Sequence, residues 1–244
     1  VNCPLRGTRP LGAHQQPVDQ EPHIGFGEPS AEETLSALSD LVRQGKVRAI
    51  GSSSMRGSEI VEAQRAAQRR GFERFRTEQP NYSILDREIE REILPVAQRY
   101  GMGTLVYSPL AGDALTGRYR AGQANDTFRA STGMRHFRDE RRLAAVEQLL
   151  ALADEVGIAL PHLAMAFAIA HPGVTAAIIG PRTMEQLEAT LAGAEVALPD
   201  EVLDRIDAIV PPGESIGALD MVYRGPEVAD AALRRRPAAQ RSAR

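Results

Sequence analysis

Leu41-Val42-Arg43-Gln44-Gly45-Lys46-Val47-Arg48-Ala49-Ile50-Gly51 is the stretch that decides the fold. Before it, Leu35, Leu38, Leu41 and Val42 recur at helical spacing. Ser30, with Glu33 three positions on, has the form of a capping box at the helix start. Gly45 ends the helix, and Val47 to Ile50 reads as a short strand closed by Gly51 and three serines. The order helix, glycine, strand then repeats. A helix of about Ser58 to Arg70 stops at Gly71 before a strand around Arg76 to Pro80. Another, about Arg87 to Tyr100, stops at Gly101 before the strand Gly103 to Tyr107. Strand starts near 48, 76 and 103 are a little under 30 residues apart, roughly one strand-plus-helix unit. Short apolar strands alternating with amphipathic helices predict an α/β fold with a parallel sheet covered by helices.

Outward from this core the period breaks. Gly112 to about Arg138 is polar and long. Helices follow at about Asp139 to Val156 and Pro161 to Ala170, then a fourth strand, Thr175 to Ile179, that runs through Gly180 into a helix from Thr183 to Leu191. Pro199-Asp200-Glu201 opens a further helix to about Ile209. Residues 1–29, with prolines at 4, 10, 17, 22 and 29, follow neither period and read as an irregular leader. Residues 30–213 read as the folded domain, and 214–244 as a poorly structured tail whose Arg234-Arg235-Arg236, Arg241 and Arg244 are a solvated basic end.

Composition narrows the function classes. Apolar residues at 43% and charged residues at 25% exclude disorder of the whole chain, and a net charge of −3 gives no pull toward nucleic acid or an anionic membrane. Cys3 is the one cysteine, so no intramolecular disulfide or thiolate metal cluster forms, and a cytoplasmic setting is expected. No apolar run is long enough to predict a membrane span.

Glu32-Glu33-Thr34-Leu35 and Leu41 through Gly51 resemble the aldo-keto reductases. So do Glu78-Gln79-Pro80-Asn81-Tyr82-Ser83, Tyr107-Ser108-Pro109-Leu110-Ala111-Gly112, Thr116-Gly117-Arg118-Tyr119 and Ile178-Ile179-Gly180-Pro181-Arg182-Thr183 to Gln186-Leu187. The resemblance covers about Ala31 to Gly213 and implies a (β/α)8 TIM barrel, incomplete here, with only the last four strand-helix units readable. It implies an NADP(H)-dependent oxidoreductase that moves hydride between nicotinamide and a small aldehyde or ketone.

The same resemblance assigns site residues. Ser53 matches, and Ser54 replaces the Asn of, a Ser-Asn pair that with Gln79 hydrogen-bonds the nicotinamide carboxamide. From the residues alone, Ser53 and Ser54 read as caps for the next helix, whereas Gln79, a polar amide in a half-buried strand, needs a partner. Tyr107 matches the aromatic that stacks on the nicotinamide, and as a plain reading is a core tyrosine. Ser108, Leu110 and Gly112 match a loop around the pyrophosphate. Arg118 stands where the family usually has Lys. Gly180, Arg182 and Thr183 match a phosphate grip between strand and helix, with Arg182 on the 2′-phosphate and hence a preference for NADP(H). Gln186 matches an adenosine contact, while Ala189 and Thr190 replace an acidic-Asn pair.

The family's catalytic set is an Asp, a Tyr, a Lys and a His. His23 falls at the His position when counted back from Glu32 without a gap, although Gln20-Glu21-Pro22 makes a poor strand. No residue matches the Asp, Tyr or Lys, and no tyrosine precedes Tyr82. Little or no turnover by this chain is therefore expected. A protein that holds NADP(H) without turning it over, or a gene fragment with a misplaced start or an upstream frameshift, are the alternatives. Four parallel strands leave two open edges, with Val47 to Ile50 outermost, so self-association is expected. Substrate choice is assigned to the loop 113–138 and the tail after Pro211, where loops vary.

Overall fold

The computed structural model describes residues 30–118, 139–217 and 231–235. The chain divides into two compact units. Pro29–Val222 is the one considered below; of the other, the described residues include only the short helix Ala231–Arg234.

Helices and strands alternate as α1 (Ala31–Arg43), β1 (Gly51–Ser53), α2 (Gly57–Arg70), β2 (Thr77–Gln79), α3 (Ile93–Arg99) and β3 (Gly103–Val106). After the polar stretch come α4 (Glu140–Val156), α5 (Leu160–Ala170), β4 (Ala176–Ala177), α6 (Met184–Ala194) and α7 (Asp200–Ile209). The four strands form one parallel sheet in the order β1-β2-β3-β4, so all their C-terminal ends lie along one edge. This is an α/β fold, with β1 at one margin of the sheet and β4 at the other.

Local chemistry explains most boundaries. The Ser30 hydroxyl accepts the Glu33 N–H and starts α1. Gly71, at φ 68°, closes α2, a backbone angle that an L side chain resists. Two expectations shift. The first strand is Gly51–Ser53 rather than Val47–Ile50, because the N–H groups of Lys46 and Val47 turn back to the Leu41 carbonyl and prolong the helix end. Val47 and Ile50 instead pack into the helix layer, and the ladder opens only where the Ile50 carbonyl accepts the Arg76 N–H at 2.8 Å. The helix expected over 87–100 is a 3-10 turn, Glu88–Glu90, followed by α3. Pro95 lacks an N–H and is tolerated only in a first turn, so α3 starts just before it.

The helices cover one face of the sheet. Leu35, Ile60, Ala63, Ala67, Phe75 and Ala97 form a core between α1, α2 and α3. Leu94, Val106, Leu149, Leu163, Phe167 and Ile206 belong to a second, larger one. The opposite face is half-open: β1 and β3 alternate with their buried or less exposed residues toward the helices, and Ile178 beside β4 is 40% exposed.

Two buried ionic clusters tie the end of the unit to the loop after β2. Arg142, 1% exposed, grips Asp86 with two hydrogen bonds at 2.9 and 3.1 Å and also donates to the Ile216 carbonyl. Arg87 bonds Glu90, Asp207 and the Val210 carbonyl and lies 5.0 Å over the Phe167 ring. Tyr82 donates to Glu90, and its own pKa is pushed up by burial and by that carboxylate. Ordered contacts thus run past Gly213, the expected domain limit, to Ile216, whose N–H meets the Leu85 carbonyl at 2.9 Å.

Removing one member of a buried ion pair strands the other, at a cost of about 3–5 kcal/mol. Arg142→Ala should therefore lower the urea midpoint sharply. Arg205→Ala, which breaks an exposed pair with Glu155, should cost under about 1 kcal/mol. Equal midpoints for the two variants would contradict the structural role given to Arg142.

Candidate functional site

Among the described residues, four non-glycine residues have positive φ: Ser54 (55°), Ser108 (56°), Ala111 (50°) and Asp113 (81°). All four lie just beyond the C-terminal ends of β1 and β3, on the same edge of the sheet. Each costs about 1–3 kcal/mol, and such backbone gathers where a site needs a fixed shape.

The strand register builds the floor of this site. Ser53 pairs with Gln79, and beyond the strand ends Asn81 pairs with Tyr107. Alternation places Ser53, Gln79, Asn81 and Tyr107 on the half-open face. The Ser53 hydroxyl donates to the Gln79 carbonyl at 2.9 Å, the Ser54 N–H reaches the same oxygen at 3.2 Å, and the Ser54 and Tyr107 hydroxyls are 3.3 Å apart. Ser53 and Ser54 therefore bind β2 and β3 rather than cap α2. That helix is capped by Arg56 and Glu59 instead, with the Arg56 N–H donating to Glu59 at 2.8 Å. The Gln79 carboxamide has no hydrogen-bond partner among the described residues, and Asn81 Oδ1 is buried and also unpartnered. An accessible amide and one buried unmet oxygen beside a half-buried aromatic ring suit a planar ligand that carries its own amide.

The loop after β3 is a series of tight turns. The Ala111 N–H donates to the Ser108 carbonyl at 2.8 Å, Leu115 to Leu110 at 3.1 Å, and the Thr116 hydroxyl to Asp113 at 2.7 Å. Ala111 and Leu115 are buried beneath it, while Ser108, Leu110 and Gly112 stay partly accessible. Arg118, at its end, is exposed, and its N–H reaches the Thr116 hydroxyl at 3.4 Å.

After β4, Gly180 leads to Arg182 and to Thr183, the N-cap of α6. The helix start is already well supplied with acceptors. Thr183 Oγ1 accepts the Gln186 N–H, Gln186 Oε1 accepts the Arg182 N–H, and the Glu185 carboxyl is held low by its own backbone N–H and the Thr183 hydroxyl. The Arg182 guanidinium is exposed and has no partner among the described residues. No helix among the described residues is long and apolar enough to cross a membrane.

Glu78 escaped the sequence reading. It is 0% exposed, and its pKa is raised by burial against the opposing pull of the Ser52 hydroxyl and the Met55 and Ser54 backbone. The available signal was a charged residue in the middle of a three-residue strand. His23, the loop residues 119–138 and most of the tail lie outside the described residues.

A parallel sheet of four strands alternating with helices, its strained loops along the carboxyl edge, is the architecture of part of a (β/α)8 barrel. The chain belongs to the aldo/keto reductase family, whose profile matches residues 13–211, upstream of Ala31 and through His23. It is 39% identical over 180 residues to a Bacillus subtilis protein named as an uncharacterized oxidoreductase, covering 74% of this chain and 54% of that one. It is 32% identical over 194 residues to the versiconal hemiacetal acetate reductase of Aspergillus parasiticus, covering 75% and 55%. It is also 32% identical over 188 residues to an Oryza sativa subsp. japonica protein named "probable voltage-gated potassium channel subunit beta", covering 73% and 57%. The chain spans about half the length of these curated relatives.

Proposed function

We propose that this chain carries the NADP(H) site of an aldo/keto reductase whose reaction is reduction of an aldehyde or ketone. One observation carries the reading. The strained loops after β1 and β3 surround the unpartnered amide of Gln79, the orphaned Asn81 Oδ1 and the hydroxyls of Ser54 and Tyr107. A primary carboxamide offers two donors and one acceptor to that set.

In this reading Ser53, Ser54 and Gln79 hold the nicotinamide carboxamide, and Tyr107 stacks beneath the ring and fixes which face points to substrate. Ser108, Leu110 and Gly112 bring backbone close to the pyrophosphate, with Arg118 adding charge. Gly180, Arg182, Thr183 and Gln186 take the adenosine end, with the free Arg182 guanidinium on the 2′-phosphate. When bound, the reduced cofactor supplies the hydride that goes to the carbonyl carbon. His23 orients the carbonyl oxygen, a role supported by the ungapped count and by a family match that runs through it. Proton delivery needs a Tyr with its Asp and Lys partners, and no residue of this chain matches them. A cytoplasmic setting goes with the single cysteine. A second reading, NADP(H) held without turnover, draws support from the channel-subunit name of the rice relative.

NADPH should bind more tightly than NADH, and Arg182→Ala should erase most of the difference, about 1.5–3 kcal/mol for a lost charge-assisted contact. Superimposable titration curves for the two cofactors would end the 2′-phosphate assignment.

Residues 1–244 tested by themselves should turn over carbonyl at a trace rate, since working without a general acid costs about 10²–10⁴-fold. Brisk NADPH-dependent reduction of test aldehydes would mean that a proton donor has been missed, and His23→Ala would then be the first variant to assay.

Among the described residues no strand pairs with the outer side of β1 or of β4, and Ile178, Met184 and Leu191 are exposed near β4, which favours self-association. Light scattering on a dilute sample should give a mass above one chain; a stable, cooperatively unfolding monomer would refute it.

A further inference from the structure

Glu78 is the one buried ionisable group at this site that the cofactor reading leaves without a task. As the middle residue of β2 its side chain lies on the helix-covered face, opposite to Ser53 and Gln79. Both carboxylate oxygens are engaged. Oε2 accepts a short hydrogen bond from the Ser52 hydroxyl, and Oε1 accepts the Met55 N–H at 3.2 Å. Among the described residues no cation pairs with it. Burial without a counter-charge is costly for a carboxyl group, and the two hydrogen bonds are what it makes in return.

What it fixes is a turn. Ser52 and Met55 flank Ser53 and Ser54, and Ser54 sits at φ 55°, a conformation that persists in a serine only when its neighbours impose it. The carboxylate grips the turn at both ends from the helix side, while the Gln79 carbonyl holds its middle from the other side through the Ser53 hydroxyl and the Ser54 N–H. The Ser54 hydroxyl is thereby kept 3.3 Å from that of Tyr107.

We propose that Glu78 is a positioning residue whose carboxylate locks the Ser52–Met55 turn, so that Ser53, Ser54 and Tyr107 present a fixed face to the nicotinamide carboxamide. The proposal rests on the NADP(H) reading above. It touches the nicotinamide end alone, because the adenosine end is held by Arg182 after β4.

The test titrates two probes, NADPH and adenosine 2′,5′-bisphosphate, into the wild-type chain, Glu78→Ala, Glu78→Gln and Ser52→Ala. Glu78→Ala should weaken NADPH about tenfold or more and leave the bisphosphate within about twofold, since a charge-assisted network is lost at one end of the site only. Glu78→Gln keeps an acceptor for Met55 and a polar partner for Ser52, and should restore most of the affinity. Ser52→Ala should lie between, and it decides the matter if Glu78→Ala does not fold. Parallel loss of both probes, or unchanged NADPH binding in Ser52→Ala and Glu78→Ala, overturns the proposal. A wild-type chain that binds neither probe fails one step earlier, at the cofactor reading, and takes this proposal with it.

Discussion

The parallel register of β1 on β2 is the constraint on which the site depends. Gly51 lies opposite Thr77 so closely that a Cβ there would stand 2.2 Å from Thr77 Oγ1 and 2.9 Å from its carbonyl oxygen. Only glycine lets the strands approach at that point. With Gly51 seated, Ser53 must meet Gln79, and the chain beyond must bring Ser54 to Tyr107. A one-residue slip would send Ser53 into the helix layer and put Ser52 on the open face, because side chains alternate along a strand.

The energetic load is divided between two places. Strained backbone is concentrated at the carboxyl edge, in loops whose undersides are anchored by buried Ala111 and Leu115. The stabilising ionic clusters lie elsewhere, where Arg87 bonds Glu90 and Asp207, Arg142 bonds Asp86, and the two arginines hold the Val210 and Ile216 carbonyls against the loop after β2. Arg87 and Arg142 are buried and hydrogen-bonded to carboxylates and carbonyls, while the Arg182 guanidinium has no hydrogen bond or ion pair among the described residues. That contrast separates arginines that stabilise the fold from one available to an anion.

Helix order and strand count were legible because glycines and amphipathic periods mark the units, and the cap read at Ser30 holds, whereas those read at Ser53 and Ser54 do not. The edges of elements were less so. Val47 to Ile50 has strand-like composition, yet its apolar side chains serve the helix core, and no local pattern distinguishes the two uses. The break before α3 was readable from Pro95 but was masked by a continuous helical period. At the site, Gln79 and Tyr107 could be placed through family likeness, whereas Glu78 and Asn81 matter through register alone. Pairing partners 26 residues apart are invisible until the sheet is built.

The clasp between Arg87 and the end of the unit also sets a timetable. Its partners Asp207 and the Val210 carbonyl lie 120 and 123 residues further along, whereas Arg142 is 56 residues from Asp86. Closing the longer loop costs only about 0.7 kcal/mol more than the shorter one, so distance in sequence barely affects final stability. It affects the order of events on the ribosome. When Arg87 emerges, α1, β1 and α2 have already been made, and of its two acidic partners only Glu90 is close in sequence. Its second counter-charge arrives after nearly the whole unit has been synthesised, and until then the loop after β2 has no lid.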